Sequence, residues 1–291
     1  MHVHISYHRK VVGILSGVVL VLLVLLVMAL FKVGLFHTKE YRYLKGEEAV
    51  LIEGKDGQDD KVLPVEKVLF EYIEVADSCS SDFQGECLNA RSGPGEDFPK
   101  ILKLRKGIVL KVGGKVERDG QGWYKVIFDE WLRYPERLTT DFYVSADYVK
   151  VLLDEGLRDL TSPAIASAKQ IIVDRSEQML YAYDGKELFM KQSISTGLEL
   201  TPTPRGTFTI YRKTPSRYMQ GPIPEISQKF YDLPGVPWNL YFTYDGAVIH
   251  GTYWHQNFGK QSSNGCVNLP PEKAHELYTW ADLGTRVIVQ D

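Results

Sequence analysis

Residues 262–268 read Ser262-Ser263-Asn264-Gly265-Cys266-Val267-Asn268. A cysteine follows an Asn-Gly turn and precedes an apolar residue, the pattern of a chain that turns sharply and then enters a strand. Asn-Gly favours positive φ, which directs successive backbone N–H groups toward one point. A thiol there needs a base, because the thiolate is the reactive form and a free cysteine ionises near 8.5. The chain has seven histidines, of which His2, His4, His8 and His37 lie in the first 37 residues. That leaves His250, His255 and His275. His275 falls on the polar side of a predicted helix and reads as a surface residue. His250 ends an apolar strand just before Gly251-Thr252, and His255 follows among aromatics that include Trp254. His250 is the expected base for Cys266.

The residues around this stretch predict a mostly β domain with one late helix. Ile171-Ile172-Val173, Met179 to Tyr183 and Leu188-Phe189-Met190 read as strands, the last two joined at Asp184-Gly185. Further strands are expected at residues 208–211, 248–249 and 287–289. The helix is expected over residues 271–283, opening on Pro271 and Glu272 and stopping before Gly284, with Ala274, Leu277, Trp280 and Ala281 as its apolar face. Residues 214–237 are too long for an ordinary connection, are rich in proline, and read as a lid carrying Arg217, Tyr218 and Met219.

Before this domain, residues 67–152 alternate apolar and polar positions between glycine-rich turns, the signature of a small all-β barrel. This segment holds no histidine and reads as a binding or spacing module. Residues 11–31 form a run of 21 residues without a charge, long enough at 1.5 Å per residue to span a bilayer core. The expected organisation is a cytoplasmic tail (1–10), a transmembrane anchor (11–31), a charged stalk (32–66), the barrel (67–152), a linker (153–167) and the C-terminal domain (168–291). With only about ten residues ahead of the span, the bulk is expected outside the cell membrane. A cleaved signal peptide, with Val27-Met28-Ala29 as a weak cleavage site, is the rival reading.

Composition limits the alternatives. The 291 residues are 44% hydrophobic and 24% charged with a net charge of -3, which fits globular domains and no basic nucleic-acid footprint. Three cysteines are too few for a disulfide scaffold or a four-cysteine zinc site. Cys79 and Cys87 lie in a polar, Gly-containing loop and are expected to pair outside the membrane, adding about 2–3 kcal/mol, which leaves Cys266 unpaired. A zinc site from His250, His255 and Cys266 lacks an obvious water-activating carboxylate, and no metal or cofactor is expected.

Two stretches resemble known families. Leu88 to Gly95, Gly107, Gly122 to Val126 and Val144 to Val149 are similar to a bacterial SH3-like domain over about 65 residues. Phe142-Tyr143 stands where that family usually shows Gly-Trp, and residues 129–140 are longer than its pattern. His250-Gly251-Thr252, Phe258-Gly259 and Ser263 to Asn268 resemble the YkuD-type L,D-transpeptidase signature, with 16 positions from histidine to cysteine. Thr201-Pro202-Thr203-Pro204-Arg205-Gly206 resembles that family's Thr-Pro-x-Gly stretch. Asn264 departs from the histidine, and Asn268 from the arginine, that many members carry.

The resemblance implies a peptidoglycan L,D-transpeptidase. Cys266 would be acylated by a tetrapeptide stem with release of D-alanine, and the acyl group would pass to an amine of a second stem. Gly251 would hold the second imidazole nitrogen of His250 through its carbonyl. The N–H groups of Gly265 and Cys266, in the turn with Asn264, would hold the oxyanion. Trp254, Asn268, Ser263, His255, Tyr218 and Met219 would contact substrate. The resemblance also implies acylation of Cys266 by carbapenems. Expected partners are stem peptides, the cell wall through the SH3-like module and the membrane through the N-terminal helix. An L,D-carboxypeptidase, using water as acceptor, and a non-catalytic wall-binding protein are the alternatives. Sortases are excluded by the absence of any histidine between His37 and His250, and papain-like wall endopeptidases by their cysteine-before-histidine order.

Overall fold

The computed structural model describes residues 49–52, 61–69, 71–76, 86–153, 160–161, 168–224 and 227–291. The expected membrane span, Cys79 and most of the expected linker lie outside the described residues. Among the described residues no helix is long and apolar enough to cross a membrane. Of Cys87 only its place in a strand is described.

The chain is mostly β, with one α-helix among the described residues. Strands β1 (Ala49–Ile52) and β2 (Lys61–Pro64) form an antiparallel hairpin. Part of the expected stalk is therefore folded: Leu63 packs with Val116, Trp123 and Tyr143, and Glu66 bridges Lys115.

Seven strands follow as one sheet: β3 (Tyr72–Val75), β4 (Glu86–Arg91), β5 (Lys100–Arg105), β6 (Val109–Arg118), β7 (Gln121–Val126), β8 (Phe142–Ser145) and β9 (Val149–Leu152). Their spatial order is β5-β4-β8-β7-β6-β3-β9. Ile73, Leu104, Leu110, Val112, Val126 and Val144 fill its interior, which is why alternation was legible in these segments.

The C-terminal domain contains two five-stranded sheets. One has the order β13 (Glu187–Ser193), β12 (Met179–Asp184), β11 (Lys169–Asp174), β19 (Arg286–Gln290), β14 (Gly206–Thr209). The other has the order β10 (Leu160–Thr161), β15 (Arg212–Ile223), β16 (Ser227–Tyr241), β17 (Val248–Gly251), β18 (Val267–Leu269). In β11, β12 and β19 alternate residues face one core: Ile171 and Val173, Leu180 and Ala182, Val287 and Val289. Ile249, Val267 and Leu269 enter that core from the second sheet. Helix α1 (Pro271–Trp280) adds Ala274, Leu277 and Tyr278. Burying such side chains contributes roughly 1.5–3 kcal/mol each.

The structure corrects three expectations. The helix stops at Trp280, three residues early, because Ala281 is already extended and Trp280 turns outward to stack on Phe189. His275 is half-buried rather than on the surface, its ring stacked 3.9 Å from that of Trp238. Residues 214–237, expected as a lid outside regular strands, form most of a long antiparallel hairpin, β15–β16, which gives the segment its strand structure without testing its role as a lid. Two register shifts, at Arg217/Met219 and Gly221/Ile223, broke the alternation that would have revealed it. Its prolines are tolerated because, among the described residues, β10 reaches only Arg212 and Lys213, and β17 only Leu240 and Tyr241, so no described strand pairs with the outer edges of the far half.

Candidate active site

Parallel pairing of β17 with β18 sets His250 opposite Asn268 and Ile249 opposite Val267. Side chains alternate across a strand. Since Ile249, Val267 and Leu269 enter the core, His250 and Asn268 share the other face. Cys266 lies one residue before β18, and its thiol donates to the Gly246 carbonyl oxygen at 3.9 Å.

His250 is buried, and its Nδ1 lies 2.9 Å from the Gly251 carbonyl oxygen. A carbonyl can only accept, so Nδ1 carries the proton and Nε2 offers a lone pair. Burial pushes the imidazole down to about 4. The Gly251 carbonyl opposes the shift, while Arg217 and His255 add to it. His250 is thus neutral at neutral pH. Cys266 is partly exposed. Its surroundings push the thiol above its ordinary range, against the pull of Arg217 and the Val248 N–H. The resting pair is a neutral thiol and a neutral imidazole.

The turn before Cys266 is held by its own side chains. The Ser263 hydroxyl donates to the Cys266 carbonyl at 2.6 Å and accepts from the Gly265 N–H at 3.1 Å. Gly265 has φ +108°, a conformation that side chains rarely adopt. The Gly265 N–H, expected to hold the oxyanion, is thus bonded to Ser263.

Beneath the turn, the Thr203 hydroxyl reaches the Cys266 carbonyl at 3.4 Å and accepts from the Gly197 N–H at 3.0 Å. A Cβ on Gly197 would lie 2.1 Å from the Thr201 oxygen and 2.6 Å from the Thr203 nitrogen. Because both obstacles are backbone, Gly197→Ala should displace this support and lower stability by about 2 kcal/mol or more, read as a fall in the thermal midpoint.

His255 and Asn268 form a second pair 3.0 Å apart. The Asn257 N–H donates to His255 Nδ1 at 3.1 Å, which makes Nε2 the protonated nitrogen. The Asn268 amide is therefore read with its oxygen toward His255. The remaining amide atom is buried without a partner among the described residues. Trp254 stands beside them, its ring 5.8 Å from that of His250. Among the described residues, no group of three or more His, Cys, Asp or Glu could hold a metal ion.

Two expected contacts, Tyr218 and Met219, lie in the β15–β16 hairpin. Tyr218 is buried with its ring 4.9 Å from Phe128 of the seven-stranded unit. Met219 pairs with Leu233 within the hairpin. The residues that the hairpin does bring within electrostatic range of Cys266 are Arg217 and Tyr231. Arg217 was visible in sequence only as part of a proline-rich insert, and nothing marked Tyr231.

Residues 168–289 match the family model of the YkuD L,D-transpeptidase catalytic domain. The YkuD match covers both five-stranded sheets from β11 onward and leaves the seven-stranded unit outside. The chain is similar to YkuD of Bacillus licheniformis, 28% identical over 123 residues, covering 41% of this chain and 64% of the relative. It is similar to YqjB of Bacillus subtilis, 28% identical over 108 residues, covering 34% and 58%. Both carry the provisional name L,D-transpeptidase. This chain thus spans less than two thirds of either relative's length. Among solved structures it is similar to the catalytic domain of Enterococcus faecium L,D-transpeptidase, with 28% identity, 42% and 96% coverage and a TM-score of 0.37.

The buried neutral His250 also sets a pH dependence of stability. An unfolded histidine takes up a proton near 6.5, whereas the folded one resists until about 4. The unfolded state therefore binds more protons between those values. The folded state keeps its full stability above about 6.5 and loses it as pH falls toward 4. The thermal midpoint should drop across that window.

Proposed function

We propose that this chain is a peptidoglycan L,D-transpeptidase. The observation that supports the reading is a YkuD-matching domain in which Gly251 sets the tautomer of the buried His250 and Cys266 immediately precedes the strand paired with that of His250. Cys266 Sγ attacks the carbonyl of a tetrapeptide stem while its proton passes to His250 Nε2. Collapse of the tetrahedral intermediate expels D-alanine, whose nitrogen takes that proton. The amine of a second stem then attacks the thioester, gives a proton to His250, and the thiol is regenerated as the new amide forms.

The Cys266 N–H supplies the oxyanion contact, a kind of donor worth about 10²–10³ in rate. Trp254 and the His255–Asn268 pair flank the substrate. The residues around Cys266 support acyl transfer to an amine; replacing the amine by water would give an L,D-carboxypeptidase. The N-terminal apolar run supports a membrane anchor with the domain outside the cell. The ordered blocks from Leu88 to Val149 support an SH3-like module at the wall. Intact mass of the chain after exposure to a carbapenem tests the reading. One adduct per molecule is expected. A folded, reduced chain that stays at its starting mass would overturn it in favour of a non-catalytic wall-binding role. Assay with stem peptides then separates cross-linking from trimming.

A further inference from the structure

The hairpin β15–β16 has an exposed-edge problem. Beyond Lys213 no strand among the described residues pairs with the outer side of β15, and an open edge leaves backbone groups unpaired. Residues 129–140, between β7 and β8, fill that place without being a strand. The Glu130 carboxylate accepts from the Tyr218 N–H at 2.8 Å. The Tyr134 N–H donates to the Gln220 side chain at 2.8 Å, which returns a bond to the Tyr134 carbonyl at 3.1 Å. Tyr134 Oη donates to the Pro222 carbonyl at 2.8 Å, and Arg137 donates to the Gly221 carbonyl at 2.8 Å. Arg137 also lies over the rings of Tyr134 and Phe230, at 3.9 and 4.6 Å.

The other side of the hairpin meets the site. Arg217 and Tyr231 act electrostatically on Cys266, and the Pro234 carbonyl accepts from Tyr253, the neighbour of Trp254, at 2.8 Å. Whatever holds the outer edge therefore sets where Arg217 and Tyr231 stand.

The geometry points to residues 129–140 as a clasp by which the seven-stranded unit positions the hairpin over the Cys266 site, with Glu130 and Arg137 as positioning residues. The unit then acts in cis on the catalytic domain, whatever else it binds. Its effect on catalysis rests on the transpeptidase reading; its effect on the hairpin does not. Burial pushes the Glu130 carboxyl up to about 7, against the pull of the Tyr218 N–H, Arg217 and Arg212, while Asp129 pushes it further up. An amide can accordingly replace it, since an oxygen acceptor is what the clasp needs.

The test uses the full chain with Glu130→Ala, Glu130→Gln and Arg137→Ala. Hydrogen exchange is followed over residues 215–223, with residues 169–193 as the internal control. Loss of a partly buried hydrogen bond should speed exchange in the hairpin about tenfold in Glu130→Ala and Arg137→Ala, leaving the control unchanged. Glu130→Gln should restore slow exchange. In carbapenem acylation, the same two variants should raise the half-saturating concentration several-fold, with a smaller change in the limiting rate. Unchanged hairpin exchange in a folded Glu130→Ala chain would overturn the clasp. So would faster hairpin exchange with unaltered acylation constants, or failure of Glu130→Gln to restore. If the wild-type chain forms no adduct at all, the transpeptidase reading falls and the exchange measurement alone decides the clasp.

Discussion

Cys266→Ala is expected to abolish the carbapenem adduct and to lower stem-peptide turnover by at least about a thousandfold, because the thiol is the proposed nucleophile that forms the acyl intermediate. Cys266 is a free cysteine. The change removes one sulfur from a partly exposed position and leaves the Ser263 staple intact, since Ser263 bonds the Cys266 carbonyl and the Gly265 N–H rather than the side chain. The variant should therefore melt close to wild type. A variant that still gains the adduct mass would relocate the reaction to another residue. A wild-type adduct that the variant lacks, with equal melting temperatures, would assign the chemistry to the thiol.

Much of this arrangement was legible because it is local. Asp184-Gly185 closes β12–β13 through its own backbone preference, and β11, β12 and β19 each show their core face in every second residue. His250 was expected as the base for a different reason: once His255 and His275 were weighed, few bases remained. The parallel β17–β18 register that sets His250 opposite Asn268 is stated by no local signal. What stayed hidden was tertiary. Tyr218 looks like a substrate contact in an isolated hairpin, but its ring is claimed by Phe128, some ninety residues earlier. The length of residues 129–140 was visible as a departure from the SH3-like pattern, yet its meaning required the open edge of β15. The Gly265 N–H was assigned to the oxyanion from turn geometry alone; the Ser263 hydroxyl two residues back takes it instead.

The second large effect concerns His250. With the imidazole held down at about 4 by burial and the thiol held above its ordinary range, the pair does not rest as thiolate and imidazolium. His250 must then act as a general base during attack, a role that contributes about 10²–10⁴ in rate. His250→Gln should slow carbapenem acylation by that factor at neutral pH. The two proteins should also differ in pH profile. Wild-type acylation needs only the neutral imidazole, so its rate should hold from pH 8 down to about 5 and fall toward 4. An ordinary histidine would already halve it near 6.5. In His250→Gln the thiol must ionise unaided, so the rate should climb about tenfold per pH unit until the thiolate forms. A flat profile in the variant, or a wild-type limb near 6.5, would remove His250 as the base. The wild-type profile is decisive by itself should the buried substitution prevent folding, because it reads the protonation of His250 in the intact site.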